Sequence, residues 1–154
     1  MLSDNSSDIY KNLYSEKNID KILSDASFVN KILLFEKMLL KANYQLKNIP
    51  YKAYQNISKA INNCEFQTYQ LQENLEYSGV LTINILNKIK KNIHKNYIPY
   101  LHYGASSQDA IDTAMILQIK EARSLLTNNL KKISFKLYNL VKNNTSTFTV
   151  ARTR

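Results

Sequence analysis

The chain has 154 residues, 44% of them hydrophobic and 21% charged, with a formal net charge of +9, which suits one globular domain with its own core. No apolar run approaches the roughly 18 residues of a membrane span, and the opening MLSDNSSDIYKN has neither the basic start nor the apolar stretch of a signal peptide. With Cys64 as the only cysteine, an internal disulfide is excluded and a reducing, cytoplasmic location is expected.

Only two glycines and two prolines are present, which argues against an all-β fold and for long helices. The lysines are spread along the chain at helical spacing, with the densest cluster at Lys88, Lys90, Lys91 and Lys95. That pattern reads as a solvated helix face. No nucleic-acid-binding module accompanies the charge, so neither nucleic acid nor membrane is expected as a partner.

In chain order, residues 1–22 are polar and read as a loose arm with a short helix at most. Ser24 and Asp25 then cap an apolar run, and Phe28, Ile32, Phe35, Leu39, Ala42 and Leu46 follow at steps of three and four, predicting a helix over about 26–47. Pro50 sits where a first-turn proline opens a helix whose apolar face is Tyr54, Ile57 and Ile61. A polar segment spans about 66–76. After Gly79, Leu81, Ile85, Leu86 and Ile89 predict a helix to about 93. Residues 94–106 carry Pro99 and Gly104 and read as a loop. The longest element is predicted over about 107–142, its stripe formed by Met115, Ile119, Ala122, Leu126, Leu130, Ile133, Leu137 and Leu140. At 1.5 Å per residue it runs roughly 50 Å, a length that belongs to bundles. TFTVARTR, from Thr147, is β-prone.

Chemistry concentrates at one loop-to-helix junction, where His102, Gly104, Ser106, Ser107, Gln108 and Asp109 fall within eight residues. A helix N-terminus presents unpaired N–H groups and partial positive charge, a ready anion site. Ser106 and Ser107 add hydroxyl donors, Gly104 admits close approach, and His102 is a donor or proton-transfer group. Plain helix capping explains the same residues, since Ser106 and Asp109 have capping-box spacing with Asp in place of Glu or Gln.

The stretch LHYGASSQDAIDTAMILQIKEA, Leu101 to Ala122, resembles the first signature block of the fumarase/aspartase superfamily, His-x-Gly-x-Thr-Ser-x-Asp. Ser106 replaces the usual Thr and keeps its hydroxyl. Gln108 to Thr113 resembles the cycloisomerase branch, and also adenylosuccinate lyases. Upstream, Phe35-Glu36 resembles the centre of the family's opening helix. Downstream, Ala151-Arg152-Thr153-Arg154 resembles the start of the second block, with Arg154 where a catalytic His stands in fumarases and adenylosuccinate lyases. That departure favours the cycloisomerase branch.

The resemblance implies an all-α fold: an arm over 1–22, an N-terminal helical domain over 23–105, and over 106–154 the start of a central helical bundle. It implies a homotetramer, no cofactor and no metal, and closure of 3-carboxy-cis,cis-muconate to 4-carboxymuconolactone in the β-ketoadipate pathway of aromatic degradation. Ser106, Ser107, Gln108, Arg152 and Thr153 are then expected to bind a carboxylate substrate, with His102 assisting and Gly104 and Asp109 structural. The family's later loop, resembling Gly-Ser-Ser-x-Met-Pro-x-Lys-x-Asn-Pro and carrying the general base, has no match here. The chain is therefore expected to be an N-terminal fragment, inactive alone. The competing readings are an adenylosuccinate lyase-like fragment, a non-catalytic helical oligomerisation piece and a basic nucleic-acid binder.

Overall fold

The structure, a computed structural model, describes residues 16–67, 71–72, 75–148 and 150. Among these the chain is helical without a strand: α1 (Lys17–Ile22), α2 (Asp25–Gln45), α3 (Tyr51–Asn62), α4 (Leu75–Ser78), α5 (Leu81–Lys90), a 3₁₀ helix (Lys95–Tyr100) and α6 (Ser107–Asn143). No helix among the described residues is long and apolar enough to cross a membrane. Thr147, Phe148 and Val150 form no strand, against the β-prone reading of that segment, whose remaining residues 149 and 151–154 lie outside the described ones.

Local chemistry sets the boundaries. The Ser24 side chain accepts the Ser27 N–H and opens α2. At the other end Asn48 N–H bonds Asn43 O and Lys47 N–H bonds Tyr44 O, the paired bonds that close a helix C-terminus. This closure places Lys47 at φ +60, a position usually given to glycine, so the sequence held no sign of it. Pro50 stands one residue before α3, as its N-cap. Helix α5 stops at Lys90, short of the expected 93, and residues 95–100, expected as loop, form the 3₁₀ helix. Pro99 is tolerated there because the bonds Tyr97 N–H to His94 O and Leu101 N–H to Ile98 O need no proton from it.

The core joins α2, α3, α5 and the start of α6. Ile32, Ile57, Ile85 and Ile89 are fully buried, with Ala110 and Ala114 against them. Each such isoleucine contributes about 1.5–3 kcal/mol by leaving water. The buried stripe of α2 is Val29, Ile32, Glu36, Leu40 and Asn43. Apart from Ile32 this is the expected stripe displaced by one residue, about 100° around the helix. Phe28 and Phe35 are only partly buried, and Leu46 is 71% exposed.

Helix α6 is likewise corrected. It packs through Ala110, Ala114, Gln118 and Ala122, at steps of four, mainly along α2. Small side chains let the two backbones approach. Gln118 Nε2 donates to Ile22 O at 2.8 Å and Ser24 O at 3.2 Å, tying the α1–α2 junction to α6. Of the expected apolar stripe, Met115, Ile119, Leu126, Leu130, Ile133, Leu137 and Leu140 are exposed. At 37 residues the helix is about 55 Å long, and its C-terminal half projects beyond the core.

Candidate functional site at the start of the long helix

The loop between the 3₁₀ helix and α6 is built on two left-handed residues, His102 at φ +58 and Gly104 at φ +82. Glycine takes such a conformation freely, whereas for histidine it costs about 1–2 kcal/mol. Two buried polar residues of α2 hold the loop there. Asn43 Nδ2 donates to Tyr103 O at 3.0 Å and Leu39 O at 3.2 Å, while its own oxygen accepts from Asn48 Nδ2 at 3.0 Å. Glu36 Oε1 lies 2.6 Å from His102 Nδ1.

Glu36 is only 2% exposed. Burial pushes its carboxyl above the usual range, and the charge and hydrogen bond of His102 pull it partly back. The Phe35 ring stands 6.5 Å from the imidazole, tilted by 57°. His102 Nε2 is buried and has no hydrogen-bond partner, at a cost of about 1–3 kcal/mol.

At the helix terminus the capping box is formed. Ser106 Oγ accepts Asp109 N–H at 3.3 Å, and Asp109 Oδ2 accepts the Ser106 N–H and hydroxyl, each at 2.8 Å. These two bonds, backbone first, hold the exposed Asp109 carboxyl below its ordinary value, and the charge of His102 adds to them. The Ser106 hydroxyl proton is thereby committed to Asp109. Ser107 is fixed through its carbonyl, which accepts from the buried Thr82 hydroxyl at 3.4 Å. The Gln108 side chain donates to Asp112 at 2.6 Å. With the Ser106 and Asp109 N–H groups used by the box, helix geometry leaves those of Ser107 and Gln108 for a ligand.

His102, Gly104, Ser106, Ser107, Gln108 and Asp109 thus surround one helix end, whereas Arg152, Thr153 and Arg154 lie outside the described residues. Among the described residues no group of three His, Cys, Asp or Glu is placed to hold a metal ion. Sequence reasoning gave Glu36 and Asn43 no part in the site. Their signal was available: two polar residues seven apart share one helix face. Replacing Ser106 by Ala is expected to cost about 0.5–2 kcal/mol by urea denaturation and to return the Asp109 titration, followed by NMR, toward its ordinary value.

No protein-family model matches the chain. A 3-carboxy-cis,cis-muconate cycloisomerase of Bradyrhizobium diazoefficiens is 33% identical over 132 residues, covering 84% of this chain and 29% of that protein. An N-acetyl-S-(2-succino)cysteine lyase of Enterococcus italicus is 29% identical, covering 93% of this chain and 31% of that one. An adenylosuccinate lyase of Pyrococcus abyssi is 28% identical, covering 91% and 31%. The crystal structure of 3-carboxy-cis,cis-muconate lactonizing enzyme from Pseudomonas putida matches with a TM-score of 0.84 at 26% identity, over 94% of this chain and 34% of that one. By sequence and fold the chain is similar to members of the fumarase/aspartase superfamily. It shares the superfamily's all-α fold, and it spans just under a third of the length of these curated relatives. Within the superfamily it is similar to cycloisomerases and to lyases alike.

Proposed function

We propose that this chain is the N-terminal part of a cycloisomerase that closes 3-carboxy-cis,cis-muconate to its lactone. Residues 23–105 form the N-terminal domain, and residues from 106 open the central bundle. The observation that carries the reading is the α6 terminus, where the N–H groups of Ser107 and Gln108 open the helix and Asp109 feels the charge of His102. A substrate with three carboxylates needs such donors, both to bind and to hold the charge that develops in the transition state. Asp109 already brings one negative charge to this end, so a substrate carboxylate sits toward Ser107 and Gln108 rather than over the cap. Arg152 and Thr153 supply further contacts, with the guanidinium forking to a second carboxylate. The later loop that carries the superfamily's general base has no match in this sequence, so these 154 residues alone are expected to bind without turnover.

The exposed stripe Leu126, Leu130, Ile133 and Leu137, each residue more than half exposed, is covered in this reading by the rest of the bundle and by other copies in a homo-oligomer. An adenylosuccinate lyase is the second reading, favoured by the 28% identity over 91% of the chain.

Titration of the labelled chain with each substrate, followed by amide NMR, decides between them. Carboxymuconate is expected to shift the amides of residues 104–109 while adenylosuccinate leaves them in place, with no product from either. The opposite selectivity transfers the assignment to the lyase. Silence toward both removes the anion site and leaves a helix cap.

A further inference from the structure

We propose that Glu36 is a positioning residue for His102: its carboxylate accepts the hydrogen bond of Nδ1–H, so that Nε2 is the ring nitrogen left to act. The proposal rests on the reading of His102 as a group that serves a bound carboxylate beside α6, and it names what orients that group.

Three independent features meet at this histidine. Glu36 Oε1 and Nδ1 are 2.6 Å apart, and the Glu36 side chain is 1% exposed. An ionised carboxylate only accepts, so the proton between the two belongs to Nδ1. Secondly, the residue is held at φ +58, and the neighbouring peptide is fixed by Asn43 on the same face of α2. Thirdly, Nε2 has no partner, although the ring as a whole keeps 14% exposure. A histidine serving only to fill space is not expected to combine an unfavourable backbone with a buried, unused nitrogen. Unfavourable features that coincide at one residue mark sites where function, rather than packing, holds the geometry.

The arrangement has a definite chemical consequence. Neutral imidazole in water prefers its proton on Nε2. Glu36 reverses that preference and gives Nε2 a lone pair able to take a proton. When the ring is charged, Nε2 becomes a donor whose cation is balanced by the carboxylate behind it. Asp109 is the other acidic group close enough to feel the ring. Its carboxylate is bonded to the Ser106 N–H and hydroxyl, so it does not compete with Glu36 for Nδ1.

Long-range proton–nitrogen correlation of the histidine rings tests the proposal directly. The second histidine, His94, is removed by His94→Asn for assignment. In the otherwise unaltered chain, with the ring neutral, Nδ1 is expected to be protonated and Nε2 bare. Glu36→Leu is expected to shift most of the population to the Nε2–H form, and Glu36→Gln, whose amide oxygen still accepts, to restore Nδ1–H. A ring already protonated at Nε2 with Glu36 in place overturns the proposal, as does an identical population in Glu36→Leu. If Glu36→Leu does not fold, the unaltered chain and Glu36→Gln still decide it. Titration with carboxymuconate separates this from the functional reading. Nδ1–H with no response to the ligand keeps Glu36 in its role and sinks the anion site. A ligand response with Nε2–H does the reverse.

Discussion

His102→Ala is expected to destabilise the chain by about 3–5 kcal/mol at neutral pH, the cost of leaving a buried charge without its partner. The charge is that of Glu36, 2% exposed and bonded to Nδ1. Burial raises its carboxyl in the folded state above the ordinary 4.5, and His102 supplies the two influences that lower it. Removing His102 sends it higher. The folded state then binds a proton that the unfolded chain releases, so stability falls as pH rises from the unfolded value through the folded one. The deficit should be small well below pH 4.5, where the carboxyl is neutral in both states, and should grow toward neutrality. Urea denaturation at several pH values reads this slope. A deficit that stays flat with pH means that lost packing against Phe35, rather than the charge, sets the cost. His102→Gly separates the backbone: glycine relieves the left-handed strain at φ +58 but leaves Glu36 equally unpaired, so it is expected to recover about 1 kcal/mol and to keep the pH slope.

Much of the fold was legible because helix punctuation is local. Ser24 capped α2 and Ser106 capped α6 where their sequence contexts pointed, and Ile57, Ile61, Ile85 and Ile89 were buried on the expected faces. What failed was the choice of face on the two helices that meet. Ranking by hydrophobicity favours Phe28, Phe35 and Leu39 over Glu36 and Asn43, and Leu126 over Ala110. Yet the buried stripes mix Glu36 and Asn43 with Val29, Ile32 and Leu40 on α2, and Gln118 with alanines on α6, because close approach and loop anchoring compete there with apolar area. The same error hid half of the site. His102 was visible as a chemical group beside a glycine and a cap. The carboxylate that orients it lies 66 residues away in sequence and becomes its neighbour only when α2 turns that face inward. The 3₁₀ helix over Lys95–Tyr100 was hidden by Pro99, which excludes an α-helix but not separate tight turns.

Ile32→Ala set against Leu46→Ala tests that rotation of α2 quantitatively, because Ile32 lies on both the predicted and the observed stripe and Leu46 on the predicted one alone. Ile32 is fully buried one helical turn before Glu36, in a region where α2, α3 and α6 leave little room to collapse. The substitution is expected to cost about 2–5 kcal/mol, transfer and cavity together, and to lower Tm by about 2–4 °C for each kcal/mol at this chain length. Leu46→Ala is the matched control. Leu46 belongs to the stripe that apolar spacing predicts for α2 but is 71% exposed, so its loss should stay within about 0.5 kcal/mol. If the two substitutions cost the same, the helix faces its core as spacing alone suggests, and Glu36 no longer lies beneath His102. A large difference takes Leu46 off the buried face, as the displaced stripe that carries Glu36 requires. The carboxylate is then delivered to the loop by the same packing that stabilises the domain, and the site cannot be loosened without loosening the core.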